Sequence, residues 1–252
     1  MAHHFYTTFA KYYDKIYSNH NIQQETAFLL DLIRQYKIAP NNKLLDVCCG
    51  TGMHAEEFQA AGLQVTGMDL NEKMLEQARP KSGMVNYLEA DMKNFHLEEK
   101  FGTIFCFLNS ILYNKNSDEL KNTLQRFYDH LEPGGILVFD AFDKASAAQA
   151  SNEQAYEYSD SNVTLRYSPE WFYDRSENKL RLEITFKINE EVILDFHEMG
   201  AFSLDEIYEI LKKIGFEVTL LERDFNQIKP YSGQWHDAIF VGLRGHGPSF
   251  IT

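Results

Sequence analysis

The sequence predicts an α/β fold: a doubly wound sheet with helices on both faces, and a small antiparallel sheet inserted late in the chain. Three observations predict it. Short apolar runs alternate with helical patterns between residues 44 and 140. A glycine turn, Gly50-Thr51-Gly52, follows the first apolar run and opens a helical pattern, which is the layout of strand, tight turn and helix start. Finally, Leu180 to Ile188 alternates strictly between apolar and polar residues, the period of a strand with one buried and one wet face.

Composition bounds the function. The 252 residues make one domain, or one domain with an insertion, and the hydrophobic fraction of 44% fits a globular chain. There are 24 Lys and Arg against 37 Asp and Glu, a net charge of −13. Nucleic acid or an anionic membrane needs clustered positive charge, so neither is expected as the main partner. No apolar run reaches the length of a membrane span. Met1 to Phe5 lacks a basic region followed by an apolar one, so no signal peptide is expected, and the cytoplasm is the expected location. Three cysteines, two of them adjacent, give neither a disulfide framework nor a zinc spacing, and no metal site is expected.

The elements follow in order. Residues 5–18 are rich in aromatics and suit either an amphipathic helix packed on the domain or a lid. Residues 22–36 carry apolar side chains at helical spacing and read as core packing. The stretch Leu44-Leu45-Asp46-Val47-Cys48-Cys49-Gly50-Thr51-Gly52 is the first strand and its turn. Glycines there let a ligand approach the main chain, and the first N–H groups of the following helix point at the same place. His54, one turn into that helix, is expected to pack or cap. Asp69, nineteen residues after Gly50, ends the next apolar run, where a carboxylate can accept hydrogen bonds from both ribose hydroxyls. Together these residues form a nucleoside-cofactor site.

Which cofactor is decided by Asp46. Gly50 to Ala55 fits the dinucleotide fingerprint G-x-G-x-x-A, but a carboxylate so close would repel a pyrophosphate. It would help a cation. S-adenosylmethionine carries an ammonium and a sulfonium and no phosphate.

Asn71 is expected to cap the next helix. Val85 to Leu88 is a third strand, with Asp91 just past its carboxyl end, the edge where doubly wound sheets bind ligands. Thr103 to Phe107 is a fourth strand, apolar throughout because both faces are covered. Asn116 or Ser117 caps a helix that ends at Leu131-Glu132-Pro133-Gly134-Gly135, and Ile136 to Asp140 is a fifth strand. Residues 144–158 read as a loose connection. An antiparallel sheet is expected over 160–200, with short strands at Val163 to Tyr167, Glu170 to Tyr173, Leu180 to Ile188 and Val192 to His197. Ser203 and Glu206 make a capping box. Phe216 to Glu222 and Ala238 to Leu243 complete the main sheet as an antiparallel pair.

The run Leu-Asp-Val-Cys-Cys-Gly-Thr-Gly resembles the first motif of class I S-adenosylmethionine-dependent methyltransferases, L-D-x-[AG]-C-G-T-G, with Cys48 at the small-residue position. Tyr13-Asp14-Lys15-Ile16-Tyr17 resembles the Y-D-x-x-Y segment of small-molecule members. Leu108-Asn109-Ser110-Ile111-Leu112-Tyr113 resembles the S-S-I-x-[YH] segment of amino-sugar N-methyltransferases and their relatives. The resemblance implies a seven-stranded Rossmann-like methyltransferase sheet in one domain. Its parts would be an N-terminal helical lid (1–39), a cofactor-binding half (40–145), the inserted cap (160–200) and the rest of the main sheet (201–244).

It also implies S-adenosylmethionine as cofactor and a small-molecule acceptor, an amine in preference to a hydroxyl. It assigns Tyr13, Tyr17, Asp46, Cys48, Gly50, Thr51, Gly52 and Asp69 to the cofactor. Leu70 and Met74 join them from the next turn, Asp91 and Met92 lie at the adenine, and Leu108 and Asn109 lie beside the methyl group. Tyr113, His197 and His236 are candidates for the base, with Tyr113 and His197 in front. Trp171, Arg166 and His197 are candidates for substrate contact, and the loop Tyr231 to His236 can also face the pocket. By period, His197 shares a strand face with Ile193 and Asp195, and an exposed strand histidine is the alternative. O-methylation, an NAD(P)-dependent oxidoreductase and a cofactor-binding regulator without catalysis are the competing functions. An exposed antiparallel edge leaves room for a homodimer.

Overall fold

The structure is a computed structural model and describes residues 3–18, 20–147, 155–234 and 236–245. Two sheets organise it. The main sheet has seven strands: β1 (Lys43–Val47), β2 (Gln64–Asp69), β3 (Asn86–Glu89), β4 (Phe101–Cys106), β5 (Leu131–Phe142), β10 (Phe216–Glu222) and β11 (Asp237–Arg244). Their order is β10-β11-β5-β4-β1-β2-β3. β1 to β5 are parallel, and β11 runs antiparallel between β5 and β10.

Helices cover both faces. α2 (Ile22–Tyr36), α3 (Met53–Ala60) and α4 (Glu72–Ala78) bury Phe28, Phe58 and Leu75 against Leu44, Phe105 and Val138 of the sheet. α5 (Ser117–His130) and α7 (Leu204–Ile214) bury Leu124, Phe127 and Leu211 on the opposite face, against Ile104, Leu137 and Phe240. β4, covered on both sides, is buried at every residue, which is why its sequence is apolar without alternation.

The second sheet is antiparallel, in the order β6 (Tyr156–Ser159), β7 (Thr164–Asp174), β8 (Lys179–Ile188) and β9 (Glu191–Gly200). Its inner face, with Leu165, Leu180, Ile184 and Phe186, continues the core on the α5 and α7 side. The sheet therefore begins earlier than residue 160, inside the stretch expected to be a loose connection; residues 148–154 of that stretch lie outside the described residues. β7 is one strand where two were expected. Pro169 does not break it, because β6 pairs only with Thr164 to Tyr167, so beyond that point β7 needs no N–H on its outer edge.

The N-terminal segment is not one amphipathic helix. It forms 3₁₀ turns at His4–Tyr6 and Ala10–Tyr12 and a single α turn, α1 (Tyr13–Ile16). It is wedged between the two sheets, with Phe5 buried against Tyr167 and Phe186. A further one-turn helix, α6 (Lys144–Ala147), follows β5.

The predicted caps divide. Asn116 accepts from the Glu119 N–H at 2.9 Å, and Ser203 and Glu206 form the capping box. Asn71 occupies its N-cap position but makes no side-chain cap bond; its amide lies instead at 3.4 Å from Asp69.

Candidate active site

The carboxyl ends of the parallel strands carry three buried acids: Asp46 near the end of β1, Asp69 at the end of β2 and Asp140 on β5. Sharp turns at these ends depend on left-handed backbone. Cys48 (φ 57°), Leu108 (φ 58°) and Asn109 (φ 57°) all adopt it without being glycine, a strain of about 1–2 kcal/mol each.

A cavity of about 340 Å³ opens over β1, β2 and β3. Of the residues assigned to the cofactor, Tyr13, Tyr17, Cys48, Gly50, Asp69, Leu70, Met74, Asp91, Met92 and Leu108 line it. Asp69 Oδ2 accepts the Gly50 N–H at 2.9 Å and Oδ1 accepts the Asn71 N–H at 2.8 Å. Oδ1 also takes the Asn71 amide at 3.4 Å, and Oδ2 keeps a lone pair for a further donor. Burial pushes the Asp69 carboxyl up, against the hydrogen bonds from Asn71 and Gly50. Leu70 is 58% exposed, a large apolar side chain left open at the cavity rim. Gly50 lies at φ 56°, and a Cβ there would come within 3.2 Å of Met74 Cε.

Asp46 lines a narrow extension of this space, beside Tyr13, Cys48 and Gly50. Its Oδ2 is buried without a hydrogen-bond partner, and burial followed by the nearby Asp69 charge pushes its carboxyl well up. An orphaned buried carboxylate oxygen next to a second acid calls for a donor carrying positive charge. S-adenosylmethionine fits: Asp69 would hold the ribose, Leu70, Asp91 and Met92 the adenine side, and Asp46 would face the cationic methionine end.

Three assigned cofactor residues are placed otherwise. Thr51 is buried away from the cavity; its hydroxyl donates to the Asp14 carboxylate and its carbonyl accepts from Lys81 Nζ at 2.9 Å. Gly52 (φ 77°) starts α3, and a Cβ on it would lie 2.2 Å from the Tyr87 hydroxyl, so it serves helix–strand packing. Asn109 lines a different cavity, because the two left-handed residues before the Ser110–Tyr113 turn swing it across the end of β4.

That second cavity, of about 220 Å³, lies between the cap sheet, the N-terminal segment and the end of β4. Tyr6, Tyr17, Leu108 and Tyr113 line both cavities and mark where they meet. Trp171 faces the second, packed edge-on against Phe142 at 4.8 Å.

Tyr113 and His197 meet here. The Tyr113 hydroxyl lies 2.6 Å from His197 Nδ1, and His197 Nε2 lies 3.2 Å from Asp195 Oδ2. Tyr6 extends the line, its hydroxyl 2.9 Å from that of Tyr113. The acid is held from behind by the Phe5 N–H at 2.7 Å. Burial alone would raise Asp195, but the His197 ring and the Phe5 N–H outweigh it and keep the carboxyl below its ordinary value. Burial pushes the Tyr113 phenol well up, so it stays protonated. In the tautomer where Nδ1 accepts from the Tyr113 hydroxyl, Nε2–H donates to Asp195.

His197 is fully buried, which corrects the exposed alternative; the inner face it shares with Asp195 is covered by the N-terminal segment. His3 stacks on it at 4.0 Å between ring centroids, with its Nδ1 3.2 Å from the Phe196 carbonyl. Parallel rings aim their in-plane lone pairs along separate planes, so His3, Asp195 and His197 do not converge on one ion as they stand.

Other candidates fall away from the cavities. Arg166 is on the outer face, 3.4 Å from Glu157. His236 is exposed, and its carbonyl accepts the Asp143 N–H at 2.7 Å. Trp235 lies outside the described residues. His54 borders the narrow extension beside Asp46, but it is buried against Glu25 at 3.1 Å. Sequence reasoning missed Tyr6, Asp195, Asp140 and Arg223. Only Asp195 left a signal, two residues before His197 and so on its strand face.

Strand order and the cavity at the sheet's carboxyl edge suit a nucleoside cofactor, and comparison with known proteins gives the class. Residues 44–135 match the family described as methyltransferase domain. The chain is an S-adenosylmethionine-dependent methyltransferase of the small-molecule type. It is 27% identical over 233 residues to a methyltransferase-like protein of Bacillus subtilis (strain 168), YqeM, covering 89% of this chain and 92% of that one. It is 35% identical over 116 residues to dTDP-3-amino-3,4,6-trideoxy-alpha-D-glucopyranose N,N-dimethyltransferase of Streptomyces venezuelae, a match that spans 46% of this chain and 48% of the relative. The solved structure of Streptomyces venezuelae DesVI superposes with a TM-score of 0.80 at 26% identity, over 94% of this chain and 98% of the other. The oxidoreductase and the non-catalytic regulator are set aside by these matches.

Proposed function

We propose that the protein methylates the amine nitrogen of a small molecule. The observation that carries this is the hydrogen-bonded line Tyr113–His197–Asp195 where the two cavities meet. Bound S-adenosylmethionine supplies an electrophilic methyl group. An amine attacks only after losing its ammonium proton, so the chain must supply a base and a route for that proton. Tyr113 passes its phenolic proton to His197 Nδ1 as it takes one from the acceptor. Asp195 stabilises the imidazolium that results and fixes the ring's tautomer. Tyr6 and the Phe5 N–H position Tyr113 and Asp195. Alignment of the nitrogen between aromatic walls supplies the rest. Relatives named as amino-sugar N,N-dimethyltransferases support the choice of nitrogen.

The test is transfer of labelled methyl from S-adenosylmethionine to matched panels of small amines and alcohols, with the product's N–CH₃ or O–CH₃ bond assigned by NMR. Label confined to alcohols would sink the amine assignment.

Pairing of two copies through the cap is supported by an exposed row on the outer face of edge strand β9: Val192, Leu194 and Phe196. Sedimentation of the wild type at several concentrations tests it; a monomer throughout ends the idea.

A further inference from the structure

The second cavity, of about 220 Å³, has a polar wall that the proton relay does not use. Arg223 follows β10, Asp140 lies on β5 and Asn109 stands in the turn after β4. Asp140 is fully buried and joins the other two. Its Oδ1 accepts the Asn109 backbone N–H at 2.9 Å, and its Oδ2 accepts the Arg223 Nε–H at 3.0 Å. Asp237 Oδ2 lies 3.9 Å from Arg223 Nη1, too far for a hydrogen bond.

Two consequences follow for the cavity. The Arg223 side chain is only 23% exposed, yet Nε–H is its one N–H with a hydrogen-bond partner among the described residues. The remaining N–H groups of the fork belong to a guanidinium that lies over the Phe225 ring at 5.1 Å and borders both this cavity and an outer one beside Asp224 and Lys229. Asn109 Oδ1 is buried on the same wall and has no partner. Leaving such groups unmet costs free energy that a complementary ligand recovers. The wall therefore offers a fixed donor fork and a fixed acceptor, both anchored to one carboxylate.

We infer that Asn109, Asp140 and Arg223 form a recognition bracket for an oxygen-bearing group, hydroxyl or carboxylate, carried by the methyl acceptor close to its reacting atom. Arg223 donates to that oxygen, and Asn109 Oδ1 accepts a hydrogen bond from the acceptor's donor group. Asp140 is a positioning residue that touches neither. Because Asp140 already offsets the guanidinium charge, the bracket does not require an anion, and a hydroxyl serves as well as a carboxylate. Proximity follows from the chain: Tyr113 is four residues beyond Asn109 and lines the same cavity of about 220 Å³. The inference rests on the second cavity being the acceptor site, but not on whether nitrogen or oxygen is methylated.

The experiment crosses two variables. Acceptors of equal length carry either an amine or a hydroxyl as nucleophile, and a hydroxyl, a carboxylate or only hydrogen on a neighbouring carbon. Binding to protein saturated with S-adenosylhomocysteine is measured by calorimetry, and turnover with S-adenosylmethionine. Oxygen-bearing members are expected to exceed their deoxy partners by about 10- to 100-fold, the worth of one charge-assisted hydrogen bond. The hydroxyl and carboxylate arms tell the two oxygen sources apart. Arg223→Gln should bring that ratio close to one through KM rather than kcat, with S-adenosylhomocysteine affinity unchanged. Asn109→Gly, which keeps the left-handed backbone and the N–H to Asp140, should weaken amines and spare cofactor binding. Equal binding of oxygen-bearing and deoxy members to the wild type, or no binding by any of them, overturns the bracket even if Arg223→Gln does not fold. Turnover of alcohols alone overturns the amine proposal and leaves the bracket standing.

Discussion

The cofactor cavity and the acceptor cavity share a border but are built in different ways. The first is made mainly from strand ends and the turns after them between Cys48 and Lys115, with His3 and three tyrosines, Tyr6, Tyr13 and Tyr17, added from the N-terminal segment. Its key contacts are local: Asp69 bonds the backbone of Gly50 and Asn71. The second draws on the N-terminal segment, the β4 turn, all four strands of the cap and the residue after β10. Its central contacts join residues far apart in sequence, Tyr113 to His197 and Asp140 to Arg223. A binding site made of turns is readable as a motif. A site made of meetings between distant side chains is not.

The largest expected effect lies on the acceptor side. His197→Gln should lower kcat by about 10²- to 10⁴-fold while leaving S-adenosylhomocysteine affinity within calorimetric error. A parallel loss of cofactor affinity would mean that the two cavities are not separable.

The next belongs to the cofactor side. Gly52→Ala should destabilise the fold by about 3 kcal/mol, from the Cβ clash with Tyr87 and the left-handed backbone. The Tyr87 hydroxyl is itself buried without a partner, so Tyr87→Phe should be neutral or stabilising, and it should recover part of the loss in the double variant. Urea midpoints for the four proteins check this; additive losses would show that the clash is not the cause.

Asp69→Ala should weaken S-adenosylhomocysteine by about 30- to 100-fold without changing the secondary structure seen by circular dichroism. Unchanged affinity would remove Asp69 from the ribose.

The smallest effect tests a histidine–carboxylate contact that the two sides do not share. Burial would raise Glu25, but the His20 and His54 rings outweigh it and hold its carboxyl at about 2. A depressed folded pKa gives stability that is present above the unfolded value near 4.5 and lost as pH falls toward 2. Glu25→Gln should flatten that acid limb, on the order of 2 kcal/mol, in chemical denaturation between pH 5 and about 2.5. An unaltered limb would assign acid sensitivity elsewhere, with Asp195 and its own histidine first in line.

The same contrast explains what the sequence carried. The parallel strands, the glycine turn, Asp69 and Asp91 are legible because each is announced within a few residues of itself. Thr51 and Gly52 belong to the same motif, yet they serve Asp14 and Tyr87; a motif marks a backbone shape without saying which of its atoms meets the ligand. Asn109 sat at the right strand end and the wrong cavity, since two successive left-handed residues cannot be read from Leu-Asn. β6 was hidden in a polar, Tyr- and Glu-containing stretch, and Ser168-Pro169 concealed the continuity of β7 because a free edge tolerates proline. Arg223 and Asp140 carried no signal at all: they are neighbours only because β11 inserts between β5 and β10.

The hydrogen bond from Tyr113 to His197 also crosses a genetic seam. One partner belongs to the methyltransferase domain proper, residues 44–135, and the other to the cap, which is a single contiguous stretch of the chain. A contiguous cap can be exchanged by recombination, which offers a short route to a new acceptor. That freedom has one condition attached. A transplanted cap must arrive with a nitrogen or oxygen already aimed at the Tyr113 hydroxyl, or the graft inherits a cofactor site and a buried phenol with nowhere to send its proton.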